Sequence, residues 1–420
     1  MVSRALAFSA FALAALTATA SPSYRYVDGD VAVDGDGLSW ATAWKAPGHN
    51  SSMNVPGRIQ YIKASSAAYP NFYLSGLTGT ASEHIQFIGV PGPRGARPYI
   101  VQSASGQTGG AYWPSNLHYI DVTNVDAYNP PSLNPNGSCF FIGSTGGAGT
   151  VDHITLGLPW PDDTGLIVKG FSAIGCGGDG VNAEYDDYND IENGLVADNG
   201  QTVSTASPSG ISILSLCASD SAPGYHNYIR YNTIYGQQCG TYATTSDCNG
   251  GINDDMRHHN NPTACGSTPY TGATLWQYNI AFGNYGKGFH DWSSTNTVVF
   301  DHNTSYLNCQ GPVCGSSDGD MDCLGTTGQE ASGCVFTHNT IYAPNYAIRI
   351  KGLATDGTAS ADCNIEYGAS GSKTANWDSS GAFTNTNYVS TNPNLGAPST
   401  TPAGADFRPT SLTPALPAGC

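Results

Sequence analysis

The chain has few charged residues and very few basic ones. Only 11% of its 420 residues are charged, Lys and Arg together number 15, and the formal net charge is −17. Nucleic acids and anionic membranes are bound through clusters of cations, so this balance argues against both as partners. An acidic protein that binds a polyanion needs local basic side chains or a bound cation at the contact.

Several common signatures are also missing from the sequence. No CxxC pair marks a zinc site, no glycine-rich loop joins a strand to a helix, and no G-x-S-x-G elbow marks a serine hydrolase. Helix signals are nearly absent. Beyond the N-terminal segment, no apolar run approaches the length of a transmembrane helix, so no membrane association is expected.

The first 20 residues have the pattern of a secretory signal peptide. Arg4 gives a positive start, residues 5–16 are apolar but too short to span a bilayer, and Ala18-Thr19-Ala20 matches a cleavage site. All 12 cysteines follow this segment, which predicts a disulfide framework and a secreted, extracellular protein. Three sequons are compatible with N-glycosylation, at Asn50, Asn136 and Asn303.

The sequence also contains an internal repeat. Short β-branched or aromatic runs alternate with Gly, Asn, Ser and Thr turns, which predicts many short strands. Five segments share an asparagine with similar flanks, at positions Asn193, Asn232, Asn279, Asn303 and Asn339. We interpret each as one turn of a right-handed parallel β-helix. Stacked turns lie about 4.8 Å apart, so the asparagines can form a hydrogen-bonded ladder.

A second repeated segment predicts one strand of each turn. Its copies begin at Gly180, Gly210, Gly251, Gly288 and Ala347, and a further rung is expected near residues 320–324. Because strand side chains alternate between faces, we expect two polar columns on one exposed face. The first column is Asn182, Ser212, Asn253, His290 and Arg349, and the second is Glu184, Asp255, Trp292 and Lys351.

These repeats define the expected domain organisation. Residues 1–20 are the signal peptide, residues 21–352 form an all-β parallel β-helix with an N-terminal cap, and residues 353–420 form an irregular tail packed on the solenoid. The tail region loses the repeat and is rich in Pro, Ser, Thr and Asn. Such a tail would cover the open sheet edge at the end of the coil.

The first candidate site is Asn253-Asp254-Asp255, followed by Arg257. Strict alternation would bury Asp254, which is costly unless its carboxylate is paired, and a β-bulge that turns both carboxylates outward is the alternative. Two adjacent carboxylates suit Ca²⁺, or one protonated acid beside an ionised base. A solvated turn is the competing interpretation.

Two further groups lie on the same expected face. Lys287 and His290 are candidate proton carriers, and Trp292 offers a stacking surface for a sugar ring. Arg349 and Lys351 together suit a carboxylate clamp. The competing interpretations are ordinary surface residues and a basic pair that balances nearby acids. Candidate calcium ligands are Asp255, Asp291 and Glu184, with weaker Asp-rich turns at residues 184–187 and 318–322.

Several of these segments resemble those of a known family. Tyr26-Val-Asp-Gly-Asp and Asp406-Phe-Arg-Pro resemble the two ends of secreted pectate-lyase-like β-helix proteins. The order Asp254-Asp255, His290, Arg349-Ile-Lys351 is similar to a series in polygalacturonase-type hydrolases. That likeness implies acid–base roles for the aspartates and substrate-carboxylate binding by the Arg and Lys.

The sequence therefore predicts a secreted, monomeric enzyme that cleaves a uronic-acid-containing polysaccharide. In the leading hypothesis, a cation or the Arg349 and Lys351 pair neutralises the uronate carboxylate. Lys287, His290 or Arg257 then removes the acidified C5 proton in a β-elimination.

Two alternatives remain open at this point. The first is inverting hydrolysis by Asp254 or Asp255 with Glu184 or Asp291 as partner, which requires carboxyl groups roughly 6.5–9.5 Å apart. The second is a non-catalytic glycan-binding or structural β-helix, which needs only aromatic side chains and the asparagine ladder.

Overall fold

A computed structural model describes most of the chain. The described residues are 23–103, 109–143, 151–157, 170–202, 208–240, 250–255, 270, 272–294, 297–311, 314, 318–325, 331–368, 374–377 and 381–420. Only the backbone is described for residues 250–255 and 374–377. The expected signal peptide and Arg257 lie outside the described residues.

Short strands form nearly all of the regular secondary structure among the described residues. One helical turn, α1, spans Asn50–Met53, and 3-10 turns span Trp40–Thr42 and Pro93–Gly95. The strands in chain order are β1 (Tyr24–Val27), β2 (Ile59–Lys63), β3 (Tyr69–Pro70), β4 (Phe72–Thr78), β5 (Ile85–Val90), β6 (Tyr99–Val101), β7 (Gly109–Thr123), β8 (Val125–Tyr128), β9 (Ser138–Gly143), β10 (Val151–Leu156), β11 (Phe171–Ile174), β12 (Val181–Glu184), β13 (Asp187–Glu192), β14 (Gly194–Ala197), β15 (Ser209–Leu214), β16 (Tyr225–Arg230), β17 (Thr233–Tyr235), β18 (Gly250–Asp255), β19 (Ala273–Gln277), β20 (Ile280–Phe282), β21 (Phe289–Trp292), β22 (Thr297–Asp301), β23 (Thr304–Tyr306), β24 (Gly319–Leu324), β25 (Ala331–Thr337), β26 (Thr340–Ala343), β27 (Tyr346–Lys351), β28 (Leu353–Asp362), β29 (Ile365–Gly368), β30 (Thr374–Trp377), β31 (Ala382–Thr386), β32 (Leu395–Ala397) and β33 (Asp406–Pro409).

The chain winds repeatedly through three parallel sheets in the same order. One turn of the coil runs through β12, β13 and β14, and the next turn runs through β15, β16 and β17, each strand pairing in parallel with its counterpart. We call these the first, second and third sheets. The long strand β7 pairs within both the first and the second sheet. The predicted parallel β-helix is confirmed.

Apolar side chains from all three sheets fill the narrow interior. Each sheet contributes a column in which equivalent residues stack along the coil, because the parallel register repeats at every turn. The first sheet gives Val181, Ile211, Phe289, Met321 and Ile348; the second gives Ile191, Ile229, Trp276, Phe300 and Phe336; the third gives Val196, Ile234, Ala281 and Ile341.

A buried asparagine ladder holds the turns between the second and third sheets. Nδ2 of each asparagine donates to Oδ1 of the next at 3.0–3.2 Å, through Asn232, Asn279, Asn303, Asn339 and Asn364. The ladder that the repeats predicted is therefore present, but its membership differs at both ends.

The first expected member is shifted by one residue. Asn193 lies at the level of Tyr231, with a left-handed φ of 56°, and the ladder position in this turn belongs to Gly194. The backbone N–H of Gly194 donates to Asn232 Oδ1 at 2.8 Å. Asparagine and glycine both suit such turns, so the dipeptide matched the repeat one position too early.

A second buried amide ladder holds the turns between the third and first sheets. The backbone N–H of Asn199 donates to Gln237 Oε1, and the same bond joins Gln237 to Asn284 and Asn284 to Asn308, at 3.0–3.2 Å. Asn308 Nδ2 then donates to Asp320 Oδ2 at 3.1 Å. Each member lies five residues after a position of the asparagine ladder, so the spacing is the same; the repeat was traced on the first series alone, and the second contains a glutamine among its asparagines.

The coil continues beyond the predicted boundary at residue 352. Strands β28 to β31 pair in register with the preceding turn, and Asn364 extends the asparagine ladder. The irregular tail therefore begins after Thr386, and contains the antiparallel pair β32–β33. The ring of Phe407 in this pair lies 4.8 Å from that of Phe282 and 5.6 Å from that of Tyr306, on the third sheet.

Disulfides link the coil at several points. The described pairs are Cys139–Cys176, Cys309–Cys314, Cys323–Cys334 and Cys363–Cys420. Four disulfides indicate an extracellular protein, because such bonds persist in oxidising compartments. Within the described residues, no helix has the length and apolar character needed to cross a membrane.

The sequon at Asn303 is not a glycosylation site in this fold. Its side chain is buried in the ladder, and its Nδ2 donates to both Trp276 O and Asn339 Oδ1. A glycan on this nitrogen would remove one of these bonds and has no room in the turn. Glycosylation at Asn50 and Asn136 remains a prediction.

Asn279→Ala is expected to lower the free energy of unfolding by roughly 2–4 kcal/mol. The change leaves the amide of Asn232 and the carbonyl of Ile229 without their partner, and each unsatisfied buried group costs about 1–3 kcal/mol. The control is Thr304→Ala, at an outward-facing position, and it is expected to change the free energy of unfolding by less than about 0.5 kcal/mol. Chemical denaturation monitored by circular dichroism measures both; equal losses would contradict a stabilising ladder.

Candidate functional site on the first sheet

The register of the first sheet brings the expected polar residues into two columns. The first column, from β12 to β27, is Asn182, Ser212, Asn253, His290, Asp322 and Arg349. The second is Glu184, Leu214, Asp255, Trp292, Leu324 and Lys351. The extra rung expected near residues 320–324 is β24, and it places Asp322 between His290 and Arg349.

Four described residues of the first column, Ser212, His290, Asp322 and Arg349, are buried and Asn182 is half-buried, whereas the sequence predicted an exposed face. His290 is 1% exposed, Asp322 is fully buried and Arg349 is 7% exposed. The second column is more accessible, since Trp292 is partly exposed and Lys351 is exposed. This face of the sheet therefore has a largely buried column of polar and charged residues next to a more accessible column.

Arg349 is held by two carboxylates. Its Nε donates to Asp322 Oδ1 at 3.2 Å and its Nη2 to Asp322 Oδ2, while its Nη1 donates to Asp318. The backbone N–H of Gly319 also donates to Asp322 Oδ1 at 3.1 Å. The predicted carboxylate clamp is corrected here: the guanidinium already binds carboxylates of its own chain, and its burial separates it from solvent.

His290 and Lys287 complete the buried group. His290 Nδ1 lies 3.9 Å from Asp322 Oδ2, and the His290 ring centroid lies 5.8 Å from that of Trp292. Lys287 is 3% exposed, and its charge lowers the pKa of Asp322. We call Lys287, His290, Asp318, Asp322 and Arg349 the outer-face cluster.

Burial determines the protonation behaviour of Asp322. Desolvation raises the pKa of this carboxyl to about 6, although Arg349 and Lys287 favour the ionised form; the charge of Asp318 adds to the increase. A carboxyl with a pKa near the working pH can exchange a proton during a reaction. The outer-face cluster, which lies next to Trp292, therefore contains a carboxyl group that can bind and release a proton near neutral pH.

Asp291 does not lie in this group, and the expected calcium set is corrected. Because adjacent strand residues project to opposite faces, Asp291 points into the coil. It accepts a hydrogen bond from Ser294 Oγ and lies against the Cys323–Cys334 disulfide. Asp291 thus cannot join Glu184 and Asp255 around one ion on the outer face.

The acidic segment of β18 is described only by its backbone. Asp254 pairs in register with Asp291, and Asn253 and Asp255 pair with His290 and Trp292. The register runs through these residues without a shift, so the bulge considered for Asp254 is absent. The side chains of these three residues lie outside the described part.

Asp318 and Asp322 belong to the outer-face cluster, although sequence reasoning did not assign them to it. They appeared only as part of an Asp-rich turn, a common feature of solenoid loops. The available signal was positional: Asp322 occupies the rung between His290 and Arg349, at the same place along its strand. Aligning that rung with its neighbours identifies Asp322 as the partner of both.

Comparison with known proteins gives distant structural similarities only. No family model and no curated protein matches the chain. A GH136 lacto-N-biosidase from Eubacterium ramulus is similar in two structures, at 12–13% identity and TM-scores of 0.46 and 0.47, with 87–88% of this chain and 67–68% of that chain covered. An alginate lyase from Paenibacillus sp. str. FPU-7 has 12% identity and a TM-score of 0.31, with 82% and 99% covered.

Buried carboxyls in this fold predict that stability falls between about pH 5 and pH 8. Burial raises the pKa of Asp322 to about 6 and that of Asp320 and Asp179 to about 7. The unfolded-state value is about 3.9, so the folded protein binds more protons between these limits and loses stability as the pH rises through them. Thermal unfolding followed across this range is expected to show a falling midpoint.

Asp320→Asn removes one of these titrating groups and is expected to flatten this pH dependence. Asp362→Asn is the control, because Asp362 is partly exposed and its pKa is lowered by hydrogen bonds from Thr386 and Asn387. A midpoint that rises from pH 5 to pH 8, or an Asp320→Asn profile parallel to that of the parent protein, would contradict this account.

Proposed function

We propose that the protein is an extracellular carbohydrate-active enzyme that cleaves a uronic-acid-containing polysaccharide at the outer-face cluster, by β-elimination. The observation that carries the proposal is the array of His290, Asp322 and Arg349 on three adjacent rungs, directly beside Trp292 and Lys351. In a chain with 15 Lys and Arg residues, three of the basic side chains gather on this part of one face.

We assign substrate binding to the accessible column. Trp292 offers an aromatic ring to a sugar, and Lys351 is an exposed cation two rungs along the same column. A uronate carboxylate bound by Lys351 loses part of its negative charge, which acidifies the adjacent C5–H. This arrangement replaces the clamp of two basic residues expected from the sequence, because Arg349 binds Asp318 and Asp322.

Proton transfer is assigned to His290, and because this side chain is only 1% exposed, the step requires the side chains that cover it to move when the polysaccharide binds. In the neutral form its imidazole accepts the C5 proton, the C5–H electron pair forms the C4–C5 double bond, and the C4–O bond breaks. The leaving glycosyl oxygen takes up a proton, returned by the imidazolium or supplied by water. Asp322, 3.9 Å from the ring, stabilises the imidazolium, and Arg349 positions Asp322.

Hydrolysis is the second candidate, and one observation favours it. Burial raises the pKa of Asp322 to about 6, which favours a carboxylic acid under mildly acidic conditions, with Asp318 as a second carboxylate nearby. To protonate a glycosidic oxygen, Asp322 would have to leave Arg349 and become exposed. In this reaction water supplies the new hydroxyl group and no double bond forms. The two mechanisms therefore differ in product, so a single assay separates them.

The test is digestion of polygalacturonate, alginate and glucuronan by the purified protein, with and without a chelator. Ultraviolet absorbance of unsaturated uronyl groups and the release of reducing ends are followed together. Both signals rise if the enzyme is a lyase, and reducing ends alone rise if it is a hydrolase. The absence of both signals on a broad polysaccharide panel would refute the enzymatic proposal.

Two variants assign the roles within the outer face. His290→Gln is expected to lower kcat by about 100-fold or more, because a general base contributes about 10²–10⁴-fold. Lys351→Ala is expected to lower kcat/KM by about tenfold or more through lost carboxylate binding. Lys45→Ala removes a different exposed lysine and should leave activity unchanged. A His290→Gln variant with parent activity would place the chemistry elsewhere.

A further inference from the structure

Two histidines lie one above the other at the turns from the second to the third sheet. His302 and His338 both have left-handed backbones, with φ of 52° and 53°. Their rings stack with centroids 4.5 Å apart and planes 14° from parallel. Each histidine precedes a ladder asparagine, and the Asn303–Asn339 bond holds the two turns in register.

The carboxylate of Asp301 lies beside the stacked imidazoles and is close to both. Asp301 Oδ1 is 2.7 Å from His302 Nδ1 and 3.4 Å from His338 Nδ1. Asp301 Oδ2 accepts a hydrogen bond from Gln277 Nε2 at 2.7 Å, which leaves Oδ1 directed at the histidines. All three side chains are partly exposed, so an ion can reach them from solvent.

The three ligand atoms also converge. One Nδ1 from each histidine and one oxygen of Asp301 all lie within 4.8 Å of one another. Ligands of a tetrahedral zinc ion lie about 3.4 Å apart, given metal–ligand distances of about 2.1 Å. The two rings are stacked, and an imidazole nitrogen binds a metal in the plane of its ring, so both rings must turn toward a common ion; both side chains are partly exposed.

Among the described residues, two other groups bring potential ligand atoms equally close. One contains Cys323 and Cys334 and the other contains Cys309 and Cys314, and both cysteine pairs are disulfides. Disulfide sulfur lacks the thiolate that metals bind. Of the three groups, Asp301 with His302 and His338 alone contains no disulfide sulfur. His338 Nδ1 lies 2.9 Å from Thr337 Oγ1, so a metal ion would replace that hydrogen bond.

We propose that Asp301, His302 and His338 form a surface site for a divalent transition-metal ion such as Zn²⁺. Two imidazoles and one carboxylate match the ligand preferences of Zn²⁺, Ni²⁺ and Cu²⁺, whereas Ca²⁺ prefers a shell of oxygen atoms. Gln277 supplies the outer hydrogen bond that orients the carboxylate ligand. The remaining coordination positions face solvent.

A similar trio elsewhere in the chain provides a matched control. His118 Nδ1 and His153 Nδ1 both lie close to Asp152 Oδ1, at 2.9 and 3.0 Å. The His153 ring, however, stacks between Tyr119 and Tyr188 and not on a second histidine. His153 also has a left-handed backbone, with φ of 54°, so the same substitution is tested in the same conformation.

The experiment is calorimetric titration of the full chain with ZnCl₂ after treatment with a chelator and its removal. The parent protein is expected to show a binding event that His338→Asn and Asp301→Asn each weaken at least about tenfold. Asparagine tolerates the left-handed turn, so the histidine substitution preserves the backbone. His153→Asn should bind Zn²⁺ like the parent, and CaCl₂ should not produce the event.

Two outcomes overturn the proposal. In the first, both variants at the site titrate like the parent; in the second, His153→Asn causes the same loss as His338→Asn. Unchanged circular dichroism spectra and thermal midpoints identify the variants that remain folded. If one of the two site variants does not fold, the other still tests the site. Polysaccharide cleavage is not part of this readout, so the result does not depend on the proposed enzymatic function.

Discussion

The hydrogen bond between stacked buried amides is the interaction on which the rest of this fold depends. Each turn of the coil must bend the backbone sharply, and the bend leaves buried polar groups that need partners. Asn279 satisfies a backbone carbonyl of one turn and the side chain of the next with a single side chain. A second amide ladder does the same at the turn where the third sheet leads to the first. The parallel backbone pairing sets the spacing of the rungs, and the two ladders hold the turns at that spacing.

Fixed rung spacing explains how the outer-face cluster is assembled. His290, Asp322 and Arg349 are far apart in sequence, yet the parallel register places them on neighbouring strands. Burial then strengthens the interactions among their charges, because the interior screens them weakly. The same burial raises the pKa of Asp322, so the fold that brings the groups together also tunes one of them.

The sequence was most informative where a residue type repeats at every turn. The asparagine series predicted the coil and the strand face, since identical side chains must stack when strands are parallel. It was less reliable at the edges of the repeat. Asn193 matched the pattern while lying one residue away from the ladder. Asn364 belongs to the ladder although the repeat was traced only as far as Asn339. Its one matching flank is Tyr367, which lies three residues after it and beside Tyr342.

The candidate site was predictable in position and not in environment. The register placed His290 and Arg349 correctly, but alternation along a strand says only which face a side chain takes, not what covers that face. The partnership of Arg349 with Asp318 and Asp322 depends on a turn whose geometry the sequence does not specify. The disulfides were expected as a set, and their pairing required the coordinates.

The tail has a mechanical consequence for the whole molecule. In a solenoid each turn contacts only its neighbours, so the last turns can peel away one at a time. Here Phe407 packs across two successive turns, and the Cys363–Cys420 bond ties the same segment to the final asparagine turn. At Gly283 the tail backbone at Thr400 approaches so closely that a side chain could not fit. The segment therefore links several turns along the coil, and the turns it joins are expected to fray together and not one at a time.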